Sequence, residues 1–499
     1  MPASLSIPDL AILLLYLGGM TGFGCWFYRR NRESERYMTA GRALPGWAVG
    51  LSIFGSYVSS ISFLANPGKA YGGDWNAFVF ALTIPVAAWA AVRWFVPFFR
   101  QSGDVSAYHH LERRFGAWAR TYAVVCYLLT QVARLGSILY LLALALVPLT
   151  GWDIRLIILV AGVVVVAYPL VGGTEAVIWT GVVQSVVLMG GALVCVASLL
   201  LGMPGGAGEV FAIAAAHDKF SLGSFGGSLA APTFWVVAVY GLAINLQNFG
   251  IDQSYVQRYV TAKSDAAAKR SVWLGGLLYL PVGAAFFFIG TALFAFYRAQ
   301  PELLPAGVAG DAVFPHYIST QLPAGVAGLV LAALCSAAMD SNLNCMSTLF
   351  LQDVYRRYFR PQASEREAMR VLYASTLVFG AICVAAALAM IHIQSALDVW
   401  WRLAGIFGGG MLGLFLLGRL APRADGRAGL AGVCTGVLVI AWMTFTPKLL
   451  PWWPEPLRSP FDGLLTIVFG TLAILGVGLL VAALAAPRPM PAPAAPSVP

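Results

Sequence analysis

Long apolar runs follow one another along almost the whole chain, separated by short charged or Pro/Gly-rich stretches. Each run is long enough to cross a bilayer core, which needs roughly 20 residues of helix. Helices are favoured over barrel strands because each backbone polar group in lipid must be satisfied within its own segment. The pattern predicts an all-α membrane protein with about 13 transmembrane helices, at 9–28, 46–65, 76–99, 119–148, 155–172, 176–202, 232–251, 273–297, 325–352, 369–391, 399–420, 428–446 and 462–485.

Composition agrees with this pattern. Of the 499 residues, 59% are apolar and only 11% are charged, whereas soluble domains carry about 25% charged residues.

The first apolar run has no Lys or Arg before it, so it is predicted to be a retained span rather than a cleaved signal. The seven cysteines form no CxxC pair, which disfavours disulfides and zinc.

The net charge of +9 is distributed unevenly over the loops. With loops assigned to alternate sides, 23 of the 31 Lys and Arg residues lie on one side and seven on the other, and Arg134 lies inside a span. The basic side is expected to be cytoplasmic. This predicts a multi-pass protein of the plasma (inner) membrane, with the N-terminus outside and the C-terminus cytoplasmic. The charge therefore indicates topology and no nucleic-acid partner, and residues 486–499 are predicted to be a disordered tail.

Two spans are interrupted by polar residues. The second contains four serines between Ser56 and Ser62 and ends at Asn66, and the seventh ends with Asn245, Gln247, Asn248 and Asp252. One interpretation of the serines is that their hydroxyls bond to carbonyls of their own helix. The other is a discontinuous helix that faces a polar cavity. Two interrupted spans that are five spans apart indicate an inverted-repeat transporter whose site lies where the two breaks meet.

Arg134 lies well inside the fourth apolar run, where a charge costs at least ~3 kcal/mol. It could snorkel to the surface or pair with Asp340. It could also hold a substrate carboxylate, for which the guanidinium fork is well matched.

Span nine carries a polar stripe that includes Ser336, Asp340, Ser341 and Asn344. Such stripes commonly join helices, but a carboxylate among them is a candidate for cation coordination, proton carriage or pairing with Arg134.

Three strings carry a resemblance to the solute:sodium symporter family: VGGTEAVIWTGVVQ at 171–184, NLQNFGIDQSYVQRYVTAKS at 245–264, and the span-nine string ending in FLQDVYRRY at 358. The likeness covers about residues 10–423, and within the family the sequence resembles the branch of the sialic acid symporters. It implies a leucine-transporter-like fold with alternating access around a mid-membrane site. The expected divisions are 1–45 (first helix and cytoplasmic loop), 46–202 and 203–420 (two inverted five-helix repeats) and 421–485 (two C-terminal helices).

The resemblance also implies a main sodium site. Its backbone carbonyls match Gly55, Val58 and Leu334, and its two hydroxyl positions fall on Ala337 and Ala338, which have no side-chain oxygen. An aspartate that many relatives carry nearby is Gly181 here. Asp340 and Ser341 are the remaining candidate ligands. The resemblance implies Na⁺ as the coupling ion, and the missing oxygens make H⁺ the alternative.

On the substrate side, the resemblance matches Ser59, Ser62 and Arg134 to groups that meet a substrate carboxylate, and places Phe78, Gln247 and Asn248 in the pocket lining. The predicted cargo is a small organic anion bearing a carboxylate, such as sialic acid or a monocarboxylate. The expected protein is a secondary active transporter that acts as a functional monomer in the lipid bilayer.

Three other functions remain as alternatives. A proton-coupled or facilitative carboxylate transporter with eroded sodium sites would explain the alanines, and a non-pumping permease-like sensor would share the fold. An intramembrane enzyme is disfavoured, because the five histidines lie in loops or near span ends and none is placed to activate a buried nucleophile.

Overall fold

The computed structural model describes residues 6–27, 33–308, 310–338, 342–393, 395–446 and 454–484. Within these ranges the chain is helical, and its only extended pairing is an isolated bridge between Leu44 and Ala262. Eleven helices of the described residues are long and apolar enough to cross a membrane, and a bent pair makes twelve. The expected count of about 13 is not confirmed, because the span predicted at 155–172 is a shorter apolar helix, Ile154–Ala167.

We number the main helices in chain order. They are α1 (Ile7–Trp26), α2 (Gly46–Tyr57), α3 (Ile61–Gly72), α4 (Asn76–Ser102), α5 (Ala117–Thr150), α6 (Ile154–Ala167), α7 (Gly173–Leu201), α8 (Phe234–Ile251), α9 (Gln253–Thr261), α10 (Asp265–Ala299), α11 (Val326–Ala338), α12 (Asn342–Leu349), α13 (Glu365–Ala389), α14 (Ala396–Leu420), α15 (Gly426–Phe445) and α16 (Thr466–Leu484). Short helices outside this set include Ser34–Thr39, His109–Phe115, Ala207–Ala216 and Val313–Thr320.

The two broken spans lie against long helices. Helices α2 and α3 both pack along α10, and α2 also packs against the α6–α7 segment. Helix α8 packs against α4 and α14. The breaks in α2–α3 and α8–α9 are thus enclosed by α4, α5, α10 and α14, which keeps their polar groups away from lipid.

A sharp kink separates α6 from α7 at Gly173, whose φ of 60° lies in the left-handed region. A Cβ at this position would also lie 2.8 Å from the ring of Tyr37. Glycine satisfies both requirements, since it has neither the steric penalty at positive φ nor a side chain.

Candidate functional site

The second span is broken at the serines, as the sequence predicted. Helix α2 ends at Tyr57, Val58 adopts an extended conformation (φ −94°, ψ 109°), and α3 leaves at an angle of 55°. The first turn of α3, Ile61–Ala65, is a π-helix, a geometry that is frequent at functional sites. The helix then continues to Gly72 instead of ending near Asn66 as expected.

Side chains bind two of the carbonyls that this break frees. Arg134 donates to the carbonyl of Ser56, and the hydroxyl of Ser62 donates to the carbonyl of Tyr57 at 3.2 Å. The break is therefore stabilised by the predicted substrate residues themselves.

The second break lies at Asp252, where the chain is extended (φ −71°, ψ 125°) between α8 and α9. The carboxylate accepts hydrogen bonds from the backbone N–H of Ser254 (2.8 Å) and from its hydroxyl. Its other oxygen accepts from Nε2 of Gln131 at 3.1 Å. Asp252 thus caps α9 and ties the break to α5.

A cavity of about 850 Å³, open solvent included, lies between the two breaks. The six residues predicted to bind substrate come from four helices and the break, and all of them line this cavity. They are Ser59, Ser62, Phe78, Arg134, Gln247 and Asn248. The structure thus brings together residues as far apart in sequence as Ser59 and Asn248.

Arg134 is 8% exposed and faces this cavity rather than lipid. Its guanidinium carbon lies 5.9 Å from the ring centroid of Trp400 on α14, a cation–π arrangement. Asp252 lines the same cavity, close enough for the two charges to attract each other. The expected alternative of pairing with Asp340 concerns a residue outside the described ranges.

Gln247 packs tightly against α14. Its side chain is 2% exposed, and a Cβ at Gly408 would lie 2.0 Å from its Oε1. Asn245, two residues earlier, has a structural role. Its Oδ1 accepts from the hydroxyl of Tyr57 (2.9 Å), and its Nδ2 donates to the carbonyl of Phe80 (3.1 Å).

Sequence reasoning missed several residues that line the cavity. Gln131 and Asp252 carried a signal, because both are polar residues within or at the end of an apolar run. Tyr57, Tyr279 and Trp400 carried none, since aromatic residues are common throughout such spans. The polar and aromatic lining residues that were not predicted to bind substrate are Ser56, Tyr57, Asn66, Phe80, Thr130, Gln131, Tyr240, Asp252, Tyr255, Tyr279, Phe287, Trp400 and Trp401. Of these, Ser56, Asn66 and Asp252 were predicted only to belong to the interrupted spans.

The positions expected to bind sodium fall into two groups. Gly55 and Val58 lie at the end of α2, and their backbone carbonyls fit a hard cation, which prefers oxygen ligands. Leu334, Ala337 and Ala338 are buried at the end of α11, which packs, like α2, against the α6–α7 segment. The two alanines add no oxygen to the set. Asp340 and Ser341 follow α11 and lie outside the described residues.

Two broken membrane helices around a central polar cavity define the class of this protein, a transporter that binds its cargo between discontinuous helices. The solved structure of Mhp1, a nucleobase-cation-symport-1 family transporter, matches with a TM-score of 0.52 and 17% identity over 89% of this chain and 94% of that one. This match shows the fold, which is leucine-transporter-like.

The family follows from the sequence comparison. The model of the sodium:solute symporter family matches residues 37–436, and the chain belongs to this family. It is therefore a multi-span membrane transporter.

Two curated relatives are similar over nearly their whole lengths. The chain is 34% identical to the sodium/sialic acid symporter NanT of Aliivibrio fischeri, over 94% of this chain and 92% of the relative. It is 33% identical to the sodium/sialic acid symporter SiaT of Proteus mirabilis, over 96% and 95%. A solved structure of a substrate-bound, outward-open Na⁺-coupled sialic acid symporter matches with a TM-score of 0.88 and 31% identity, over 97% of this chain and 99% of that one.

Proposed function

We propose that the protein is a sodium-coupled symporter that imports an organic acid by alternating access, with sialic acid as the leading substrate. The observation that carries this proposal is the buried guanidinium of Arg134 in the central cavity, beside the hydroxyls of Ser59 and Ser62. The similarity to two sodium/sialic acid symporters supports both the cargo and the ion. The cargo crosses the membrane without chemical conversion.

Binding of the carboxylate is assigned to three groups. The guanidinium of Arg134 offers a planar fork of N–H donors that matches a carboxylate, and the hydroxyl of Ser59 can donate one hydrogen bond to it. The hydroxyl of Ser62, which has a single proton, can donate to the carboxylate when it releases the carbonyl of Tyr57. Trp400 covers the guanidinium from the α14 side. Because Ser59, Ser62 and Arg134 are buried, these charge-assisted hydrogen bonds are stronger there than on a surface.

The remainder of the cavity favours a polyhydroxylated acid over a small apolar one. Gln131, Gln247 and Asn248 offer amide groups, and Asn66 adds another. A site built to hydrogen-bond substrate hydroxyls rejects analogues that lack them, because its buried polar groups are then left unpaired. We therefore expect sialic acid to bind in preference to lactate.

Sodium supplies the electrochemical gradient for import. Among the described residues, the carbonyls of Gly55 and Val58 are suited to a cation, whereas Ala337 and Ala338 do not provide the hydroxyls that the family resemblance implies. We infer that the remaining ligands come from the segment after α11, where Asp340 and Ser341 are the candidates. The basic loops favour placement in the inner membrane with the N-terminus outside. The two inverted repeats that the family resemblance implies are assigned to residues 46–202 and 203–420.

Replacement of Arg134 tests the proposed site. Arg134→Ala should lower sialic acid affinity at least 100-fold, because a charge-assisted pair to the carboxylate is lost. Arg134→Lys should be intermediate, since the ammonium keeps the charge without the fork. Binding of radiolabelled sialic acid to purified protein measures both effects, with unlabelled lactate as a competitor.

The matched control is Arg155→Ala, which removes an exposed arginine at the start of α6. It should bind sialic acid as the wild type does. Unchanged affinity in Arg134→Ala would contradict the proposed site, and displacement by lactate as effective as by sialic acid would contradict the proposed cargo.

A further inference from the structure

An ion pair joins two of the helices that line the cavity. Nζ of Lys69 lies 2.9 Å from both carboxylate oxygens of Asp398. Lys69 belongs to α3 and Asp398 to the first turn of α14. Both side chains are 41% exposed, so the pair lies at the protein surface and not within the cavity.

The pair lies one helical turn away from cavity-lining residues on each helix. Asn66 lines the cavity three residues before Lys69, and Trp401 lines it three residues after Asp398. Residues three apart on a helix share a face. A movement of α3 or α14 that opens the cavity on this side must therefore separate Lys69 from Asp398.

Asp311, in the loop between α10 and α11, contacts both helices that the Lys69–Asp398 pair joins, α3 and α14. Its carboxylate accepts from the backbone N–H of Ala396, the first residue of α14, at 3.0 Å. Its other oxygen lies against Gly68, where a Cβ would be only 2.8 Å from it. Asp311 is 7% exposed, so the loop is fitted closely over the ends of α3 and α14.

A second loop fixes the end of α3. Nζ of Lys219 donates to the carbonyls of Tyr71 (2.7 Å) and Gly73 (2.6 Å) and lies 4.0 Å from the ring centroid of Phe294. A cation at the C-terminus of a helix is favoured by the helix dipole. The end of α3 is thus held in place, and the Lys69–Asp398 contact depends on the position of α14.

We propose that Lys69, Asp398 and Asp311 form a latch that closes one end of the cavity over bound substrate and opens to let substrate enter or leave. By the loop charges, this end is the outer one. The inference rests on the proposed function, since it takes the cavity to be the substrate site.

Asp311 gives the latch a dependence on pH. Burial raises the pKa of Asp311 to about 6; the N–H of Ala396 lowers it, the carboxylate of Asp398 raises it and the ammonium of Lys69 lowers it. Tyr140 on α5 also faces this carboxyl. An open latch that exposes Asp311 to water would return its pKa toward 3.8.

The direction of the effect follows from linkage. Because the closed latch binds the proton more tightly than the open one, closure is favoured as the pH falls through about 6, and the gain is complete below 3.8. Substrate release through this end should therefore be slower at pH 5 than at pH 7.5.

Release of bound, radiolabelled sialic acid from the purified protein after dilution tests the latch. Lys69→Met should accelerate release about two- to fivefold, as expected from the loss of an exposed ion pair. Lys69→Arg should restore the wild-type rate because it keeps the charge. Asp311→Asn, which resembles the protonated state, should release slowly at both pH values and lose the pH dependence.

Asp265→Asn is the matched control, because it breaks the ion pair between Arg100 and Asp265. That pair lies at the start of α10, whereas α3 contacts α10 near its other end, at Gly290. Release should be unchanged in this variant. Equal release from wild type, Lys69→Met and Asp311→Asn, with binding still dependent on Arg134, would overturn the latch alone. Absence of sialic acid binding in the wild type would overturn the proposed function together with it.

Discussion

Ala337 and Ala338 occupy the two positions at which the family resemblance implies sodium-binding hydroxyls. Both are buried, at 5% and 0% exposure, and neither side chain has an oxygen that could contact a cation. The carbonyls of Gly55 and Val58 at the α2 break are the proposed ligands that do not depend on these two side chains. At the scale of single residues, sodium binding is therefore expected to be weaker than a full oxygen shell would allow.

Restoring the two hydroxyls should strengthen sodium binding. In the double variant Ala337→Ser, Ala338→Ser, we expect the sodium concentration for half-maximal uptake to fall about tenfold, because each added oxygen can contact the cation. Sodium titration of sialic acid uptake measures this change. Ala332→Ser, also buried on α11, is the control and should leave the sodium dependence unchanged. An unaltered sodium requirement in the double variant would contradict the placement of the ion between α2 and α11.

The candidate substrate residues could be proposed because the family resemblance gives their roles and several of them also have a local signal. Arg134, Ser59 and Gln247 are polar residues in apolar runs, and such residues are rare enough in membrane spans to indicate a site. The partners of these residues could not be predicted. Trp400 over Arg134 and Gly408 against Gln247 are contacts between distant segments, and no pattern within either segment encodes them.

At the scale of elements, close packing of α3 against α10 determines where the broken helix lies. A Cβ at Gly290 would lie 2.2 Å from the carbonyl oxygen of Pro67, closer than two such atoms can approach. Because the obstacle is backbone, a side chain at this position cannot be accommodated by a change of rotamer. Small residues at such contacts allow membrane helices to approach closely.

Gly290→Ala should therefore destabilise the fold. We expect a loss of about 1–3 kcal/mol from overpacking, seen as a lower melting temperature of the purified protein in detergent. Gly208→Ala, in a short helix where a Cβ meets nothing within 4 Å, should be neutral or slightly stabilising. Equal melting temperatures for the two variants would contradict the close approach of α3 to α10.

The two helix breaks were the part of the architecture that the sequence predicted best. Serines around Ser59 and the amides before Asp252 interrupt apolar runs, and the helices end at Tyr57 and Ile251. The count of spans was less predictable, because the apolar run at 155–172 forms a shorter helix than its length suggests. The bend of 55° and the continuation of α3 to Gly72 depend on packing against α10, which local sequence does not specify.

At the scale of the whole molecule, the arrangement explains how one site can serve two sides of a membrane. The cavity lies between the two breaks and is reached by residues of α3, α4, α5, α8 and α14. On one side the Lys69–Asp398 pair joins α3 to α14. On the other, buried Arg120 pairs with Asp353, which joins α5 to the segment after α12. Alternating access requires that the contacts at one end of the cavity are broken while those at the other end are formed.

The most direct test of the account is accumulation of radiolabelled sialic acid in proteoliposomes with one imposed gradient at a time. An inward sodium gradient should drive accumulation above the external concentration, and Arg134→Ala should abolish it. An inward proton gradient without sodium should not drive accumulation. Accumulation driven by protons alone, or equal uptake with and without any gradient, would contradict sodium-coupled symport through this cavity.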